Sequence, residues 1–277
     1  MKKTINGISA ALILGAGLFV AQSVKADTTF SLSDSVPSDG WNVDRYAQAS
    51  FAEGSVGGQN TYESTISSAD SLNNRPAPYQ STFYNTQGYS RSVAGTPGNW
   101  SLSGSLYVTS DMLAGTYAPL STELWAETGN NSGYYIMGFL SGMSARSFGA
   151  TATVGSQVGV FDDTTGLWSY FSTAAMSAGW NTFNISYNSS TASVNYSVDN
   201  NVVTTQGSTI TSQDPSANNL TTALVESYNF YGNGSAPATG SYTVNWQAAP
   251  VPEPTTMALA GLGGLASLVF LHRRRKN

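Results

Sequence analysis

Glu123 and Glu127 stand four positions apart in the run Glu123-Leu124-Trp125-Ala126-Glu127. Two carboxyl groups about 5–5.5 Å apart can cleave a glycosidic bond with retention, one as nucleophile and the other as general acid. On a regular strand, residues four apart have Cα atoms roughly 13 Å apart. Curvature or a bulge would have to bring the two groups together. The plainer alternative is a pair of surface glutamates beside a core tryptophan. Elsewhere, Asp162, Asp163 and Thr164, and again Asp199, Asn200 and Asn201, could offer oxygens to calcium. Calcium takes 6–8 oxygens, more than either trio supplies, and Asp and Asn serve equally well as turn formers. No metal ligand is assigned and no cofactor is expected beyond calcium in a structural role. Trp41, Trp125, Trp168, Trp180, Tyr134 and Tyr135 have faces on which sugar rings stack. Strand aromatics more often fill a core, so one or two of them are expected in an open groove. Arg45 follows Asp44 and is read as its ion-pair partner, serving the fold more than an activity.

Composition removes many chemistries. Between Asp27 and Ala249 there is no lysine, histidine or cysteine, and four arginines face fifteen acids. Without His or Cys there is no zinc site of the usual kind and no Ser-His-Asp triad. Without Lys there is no Schiff base and no phosphate-cradling loop of the Walker type. So acidic a surface repels phosphate backbones, which excludes nucleic acid as a partner. With no disulfide available, the core must hold by burial alone. Asn-x-Ser/Thr triplets at Asn99, Asn184, Asn195 and Asn219 are what chance gives in a chain this rich in those residues, and carry no weight.

The elements that must position these residues read as strands. Trp100, Leu102, Leu106 and Val108 share one parity, with Ser101, Ser103 and Ser105 on the other. Phe183, Ile185 and Tyr187 alternate with Thr182, Asn184 and Ser186, and Val194, Tyr196 and Val198 with Ser193, Asn195 and Ser197. Period two over such lengths is the mark of a strand with one wet face. Turn residues at 188–191 and 199–201 join these runs into a meander. Tyr134–Leu140 is apolar on both parities and is expected to be an inner strand. Gln157–Phe161 and Leu167–Phe171 flank a turn at 162–166. Tyr242, Val244 and Trp246 form the last strand, and Asn233–Gly240 a loop. A single helical turn is predicted at Ala69–Asn74, before Pro76 and Pro78. The sum is an all-β, two-sheet antiparallel sandwich of jelly-roll type.

Both ends differ from this middle. Lys2 and Lys3 precede an apolar run from Ile8 to Val20 and then Val24-Lys25-Ala26. This is a secretory signal with cleavage placed after Ala26, which makes the Sec translocase and signal peptidase partners. At the other end, Pro250, Pro252 and Pro254 keep the chain extended. The uncharged stretch Met257–Leu271 spans about 22 Å as a helix, short for a hydrocarbon core of roughly 30 Å. Arg273, Arg274, Arg275 and Lys276 then act as a stop-transfer cluster that stays cytoplasmic. Three segments follow: a signal peptide at 1–26, an extracytoplasmic domain at 27–249, and an end segment at 250–277 with a transmembrane helix at about 255–271.

Pro252-Glu253-Pro254, the short glycine-containing helix and the terminal Arg cluster resemble the PEP-CTERM sorting signal. That family is exported by Gram-negative bacteria and cut by an exosortase near Pro-Glu-Pro. The resemblance implies an exosortase as partner, transient inner-membrane anchoring, and a final place at the cell surface or in the extracellular matrix, among extracellular polysaccharide. Gly179-Trp180-Asn181-Thr182-Phe183 with Tyr196-Ser197-Val198-Asp199 is similar to the Gly-Trp…Tyr-x-Val-Asp pattern of concanavalin-like, laminin G-like sandwiches. Retaining glycosidases on that fold carry Glu-x-Asp-x-Glu on one strand; here Trp125 replaces the middle acid. No catalytic residue is assigned, and the expected role is structural or adhesive, with glycan binding as the alternative and hydrolysis by Glu123 and Glu127 a distant third.

Overall fold

The computed structural model describes residues 28–31, 40–67, 69, 74–81, 84, 86–94, 98–115, 120–129, 133–141, 156–163, 165–207, 219–228 and 241–247. The signal segment, the end segment with its Pro-Glu-Pro, the loop Asn233–Gly240 and most of Ala69–Asn74 lie outside them. In chain order the strands are β1 (Thr28–Ser31), β2 (Trp41–Asp44), β3 (Ser50–Val56), β4 (Gln59–Ser67), β5 (Thr86–Ser92), β6 (Trp100–Val108), β7 (Leu120–Thr128) and β8 (Gly133–Ser141). There follow β9 (Gln157–Asp162), β10 (Leu167–Ser172), β11 (Gly179–Asn188), β12 (Ser193–Val198), β13 (Asn201–Gly207), β14 (Leu220–Tyr228) and β15 (Ser241–Gln247).

These strands build two sheets. The first runs β13-β12-β11-β6-β15-β4-β3, with β1 added alongside β6; the second runs β10-β9-β8-β7-β14-β5-β2. The one parallel pair among the described residues is β1 with β6, Thr28–Ser31 lying against Trp100–Ser103. The last strand, β15, enters the interior of the first sheet, between β4 and β6. The all-β, two-sheet antiparallel reading is therefore correct.

Period two places the core. The inward parities Trp100, Leu102, Leu106, Val108 and Phe183, Ile185, Tyr187 of the first sheet are buried, as are Val194, Tyr196 and Val198. They meet Leu124, Ala126, Met137, Phe139, Val158, Val160, Ala223 and Val225 of the second sheet in one apolar cluster. β8 is an inner strand between β7 and β9, as its apolar faces require. Turn chemistry fixes the hairpins: Gly166 has φ +69° and Asp199 and Asn200 have φ +48° and +64°, angles that Gly, Asn and Asp tolerate.

One polar link crosses the core. Trp246 of β15 donates its indole N–H to Thr122 Oγ1 of β7 at 2.8 Å. Ser227 Oγ of β14 donates to the same hydroxyl at 3.3 Å. Trp246 is fully buried, so its N–H requires that partner.

The helical turn expected at Ala69–Asn74 falls mostly outside the described residues, and its two described ends, Ala69 and Asn74, are both 3₁₀. Further on come a 3₁₀ turn at Ala77–Tyr79 and a four-residue α1 (Ser110–Leu113). Proline, read as a breaker, instead starts the first turn, because its fixed φ suits the opening position of a helix. Thr109 caps α1 by accepting from Met112 N at 3.2 Å. Among the described residues no helix is long and apolar enough to cross a membrane.

Replacing Thr122 by Val keeps the shape and orphans the Trp246 N–H. We expect a loss of about 1–3 kcal/mol in urea unfolding. An unchanged midpoint would show that the inter-sheet bond contributes nothing.

Candidate functional site

The outer face of the second sheet carries the chemistry, and its registers arrange that chemistry in rows. Asp44 pairs with Gly88, Gly88 with Glu226, Glu226 with Glu123, Glu123 with Gly138, Gly138 with Gly159, and Gly159 with Tyr170. One row thus crosses all seven strands with three acids and a tyrosine. Two positions along, Leu224 pairs with Trp125, Trp125 with Ile136, Ile136 with Phe161 and Phe161 with Trp168. This second row is apolar over five strands, about 19 Å at the usual inter-strand spacing. A third row begins with Glu127 opposite Tyr134.

The glycines make the acid row possible. A Cβ on Gly88 would stand 2.5 Å from the Glu226 carboxyl carbon, and one on Gly138 would stand 2.6 Å from Glu123 Cγ. Each glutamate side chain therefore fills the space over a neighbouring glycine. Glu123 and Glu226 are wholly buried. Glu123 is held at both oxygens: Ser121 Oγ donates to Oε1 at 2.7 Å and Trp125 Nε1 donates to Oε2 at 2.8 Å. Glu226 has no hydrogen-bond donor for either oxygen; its neighbour is the Asp44 carboxyl, itself an acceptor.

Burial is the first cause that raises the Glu226 carboxyl well above its ordinary value; the Asp44 charge adds to it and Arg45 opposes it. Two facing carboxyls are stable together when one of them keeps its proton. Burial also raises Glu123, against the pull of Ser121, Trp125 and Arg45. Tyr170 is pushed up by burial and by Glu123.

Arg45 roofs the row. Its guanidinium lies 4.7 Å from the centre of the Trp125 ring, its Nε 3.3 Å from Asp44 Oδ2, and its Nη1 donates to Thr86 Oγ1. Its φ of +61° is a left-handed conformation rare for a residue with a long side chain. The chain following β2 is fastened there by Gln48 Nε2 donating to Gln87 O at 2.9 Å and Gln87 Nε2 donating to Ala47 O at 3.0 Å. Beyond it, Arg75 packs 4.5 Å from the Tyr46 ring.

The result is a cleft of about 300 Å³ whose lining includes Arg45, Trp125, Tyr134, Phe161, Asp163 and Trp168. Trp168 packs on Phe161 at 5.6 Å with the rings tilted by 53°, and Trp125 meets Tyr134 edge-on at 6.4 Å. Trp125 is 6% exposed, whereas Tyr134, Phe161 and Trp168 are only partly buried. The open aromatic surface is therefore that of Trp168, Phe161 and Tyr134.

Several sequence expectations change here. Glu123 and Glu127 are not surface glutamates, being fully buried and 9% exposed. Trp41 and Tyr135 belong to the core, and Trp180 packs on Tyr107 at 5.2 Å on the other sheet. Trp125, Tyr134 and Trp168 are brought together. Asp199 accepts from Thr182 N at 2.7 Å, the turn role, and no group of three or more carboxylates among the described residues is arranged to hold a metal. Sequence reading missed Glu226, although one acid inside Ala223-Leu224-Val225-Glu226 is itself a signal. Residue spacing gave no hint that Asp44 would meet it.

Comparison with known proteins adds one assignment. Residues 250–276 match the family model described as the PEP-CTERM protein-sorting motif. The chain ends in a PEP-CTERM motif. That match contains Pro252-Glu253-Pro254 and Arg273–Lys276 and stops short of the sandwich. No curated protein matches the sequence. Solved structures similar to the PEP-CTERM chain include a glycoside hydrolase family 16 endo-glucanase from Bacteroides ovatus, at 12% identity and TM-score 0.45, over 75% of this chain and 93% of that one. An endo-1,3-beta-glucanase from Streptomyces sioyaensis gives 13% identity and TM-score 0.41, over 80% and 95%. A sialidase gives 8% identity and TM-score 0.41 over 79% of this chain, which spans only 18% of the sialidase.

A carboxyl whose folded pKa lies above its unfolded value stabilises the fold fully below the unfolded value. It loses that contribution as pH rises through the folded one. Because Glu226 is raised from 4.5, we expect the urea midpoint to fall as pH climbs above that value. In Glu226→Gln, which mimics the protonated acid, the slope should flatten. Parallel pH curves for the two proteins would refute the assignment.

Proposed function

We propose that this is an exported protein of a Gram-negative cell envelope or extracellular matrix, sorted by an exosortase, whose concanavalin-like sandwich binds polysaccharide without cleaving it. The sorting half is supported by the match over residues 250–276, together with the basic and apolar start that suits Sec entry and cleavage after Ala26. The Pro-Glu-Pro at 252–254 is then the exosortase's recognition point, and Arg273–Lys276 the stop that holds the tail until it is cut.

The binding half rests on one observation: an apolar, aromatic row crosses five strands above carboxyls that are wholly buried. Flat rings at a partly open cleft suit the apolar faces of sugars. The same observation speaks against hydrolysis. A nucleophilic carboxylate must reach the anomeric carbon, and Glu123 has both oxygens engaged and no exposed surface. The position that would hold an acid between the two glutamates holds Trp125 instead. In a matrix, such a sandwich is an adhesive unit.

On a glycan array, Trp168→Ala should lose about tenfold or more in binding, equivalent to about 1.4 kcal/mol, with no reducing sugar released by either protein. Silence of folded wild type across the array would sink the binding reading. Replacing Pro252-Glu253-Pro254 by alanines should leave full-length precursor in the inner membrane; unchanged processing counts against the sorting assignment.

A further inference from the structure

A second cavity, of about 240 Å³, lies on the first sheet, where β6 begins and β11 ends. Asn99, Ser101, Ser186, Asn188 and Asn195 line it, all of them partly buried. Ser101 pairs with Ser186, and Ser186 with Asn195, so strand register sets two hydroxyls and an amide in one row. These residues alternate with the buried ones on their strands, which puts the row on the outer face of the first sheet. The aromatic cleft is on the outer face of the other sheet, so the two can be occupied separately. Trp100 and Tyr187 complete the lining, but they are 2% and 6% exposed and belong to the core. No open ring face is offered to a ligand here, and the cavity acts through hydrogen bonds.

The amides of the cavity are held in set orientations. Asn99 Oδ1 accepts from Ser189 N at 2.9 Å and from Ser189 Oγ at 2.8 Å. Asn188 Oδ1 accepts from Ser190 N at 2.9 Å and from Ser190 Oγ at 2.6 Å. A backbone N–H bonds only the oxygen of a side-chain amide, so both are fixed end for end. Asn195 Oδ1 accepts from Thr205 Oγ1 at 2.7 Å. With the oxygens engaged within the protein, each amide has its NH₂ for a ligand, two donors apiece. None of the described residues lining the cavity is charged. Its ligand is therefore rich in acceptors. It is also small, since the volume lies below the roughly 300–1,000 Å³ of pockets for drug-sized molecules. Anions are disfavoured by a domain with four arginines against fifteen acids. One neutral sugar unit meets all three conditions: its hydroxyl oxygens accept from the amides, and its hydroxyl hydrogens go to Ser101 and Ser186. We infer that this cavity is a second glycan site, taking a single neutral sugar unit through hydrogen bonds. The preference for neutral acceptors stands by itself, whereas the choice of a sugar to supply them rests on the glycan-binding reading.

The test follows the side-chain amide signals of the exported protein by NMR during addition of methyl glucoside, methyl galactoside, methyl mannoside or glucuronate. We expect at least one neutral glycoside to shift the Asn99 and Asn188 NH₂ signals saturably. The shifts should be the same in Trp168→Ala, which takes the ring from the cleft. Asn188→Asp keeps the oxygen that Ser190 N needs and removes the two donors, so affinity at this site should fall about two- to tenfold, the worth of one neutral hydrogen bond. If that variant does not fold, the shifts in wild type and Trp168→Ala decide. Amides that no neutral glycoside moves, shifts that disappear with Trp168, unaltered affinity in folded Asn188→Asp, or tighter binding of glucuronate each overturn the site. Those outcomes leave the cleft to its own glycan array. Saturable amide shifts in a protein that is silent on the array remove the cleft reading and leave this site standing.

Discussion

In the second sheet, β14 lies against β7 with Glu226 opposite Glu123. A slip of one residue by either strand would turn its acid into the apolar core between the sheets, because side chains alternate faces. Burying unpartnered charge there would cost several kcal/mol. The register that avoids this cost also aligns Leu224 with Trp125, and so extends the aromatic row that makes the cleft. One pairing therefore sets acids, rings and glycines in their places together. The inter-sheet bond from Trp246 to Thr122 pins the same strand from the opposite face.

The acid row is tolerated for three physical reasons. Two hydrogen bonds satisfy Glu123. Glu226, raised by burial and by the Asp44 charge, favours its neutral form, which removes one of two facing charges. Arg45 opposes what negative charge remains, at the cost of a left-handed backbone angle. Strain of about 1–3 kcal/mol at a residue other than glycine persists where the surroundings over-determine it. Here Thr86, Asp44 and Trp125 all bind the same guanidinium.

Much of the fold was legible because strands with one wet face announce themselves. β6, β11 and β12 alternate apolar and polar residues over most of their length, and the apolar parities are buried. β14 was harder. Its residues Ala223–Val225 are buried on both faces, so alternation carries no signal there. The cleft was legible only in its aromatics. Trp125, Tyr134 and Trp168 could be named, but nothing in their spacing says that they line one cleft while Trp41 and Tyr135 turn inward. That information lies in cross-strand register, which links residues far apart in sequence, such as Glu123 with Glu226 and Gly88 with Glu226. Local pattern does not contain it.

β6 is where the two extremities of the sandwich meet. β1 lies along its first half, and β15 touches it at Leu106 and Ser105. The strand that begins the described chain and the one that ends it are neighbours on a single ribbon, each separated from it by long stretches of polypeptide. Contacts of that kind form late, since closing long loops must precede any reward. Until Trp246 and Gln247 are in place, β6 keeps an uncovered edge beside β1. Closure of the first sheet therefore waits for the residues that stand just ahead of the sorting motif at 250–276.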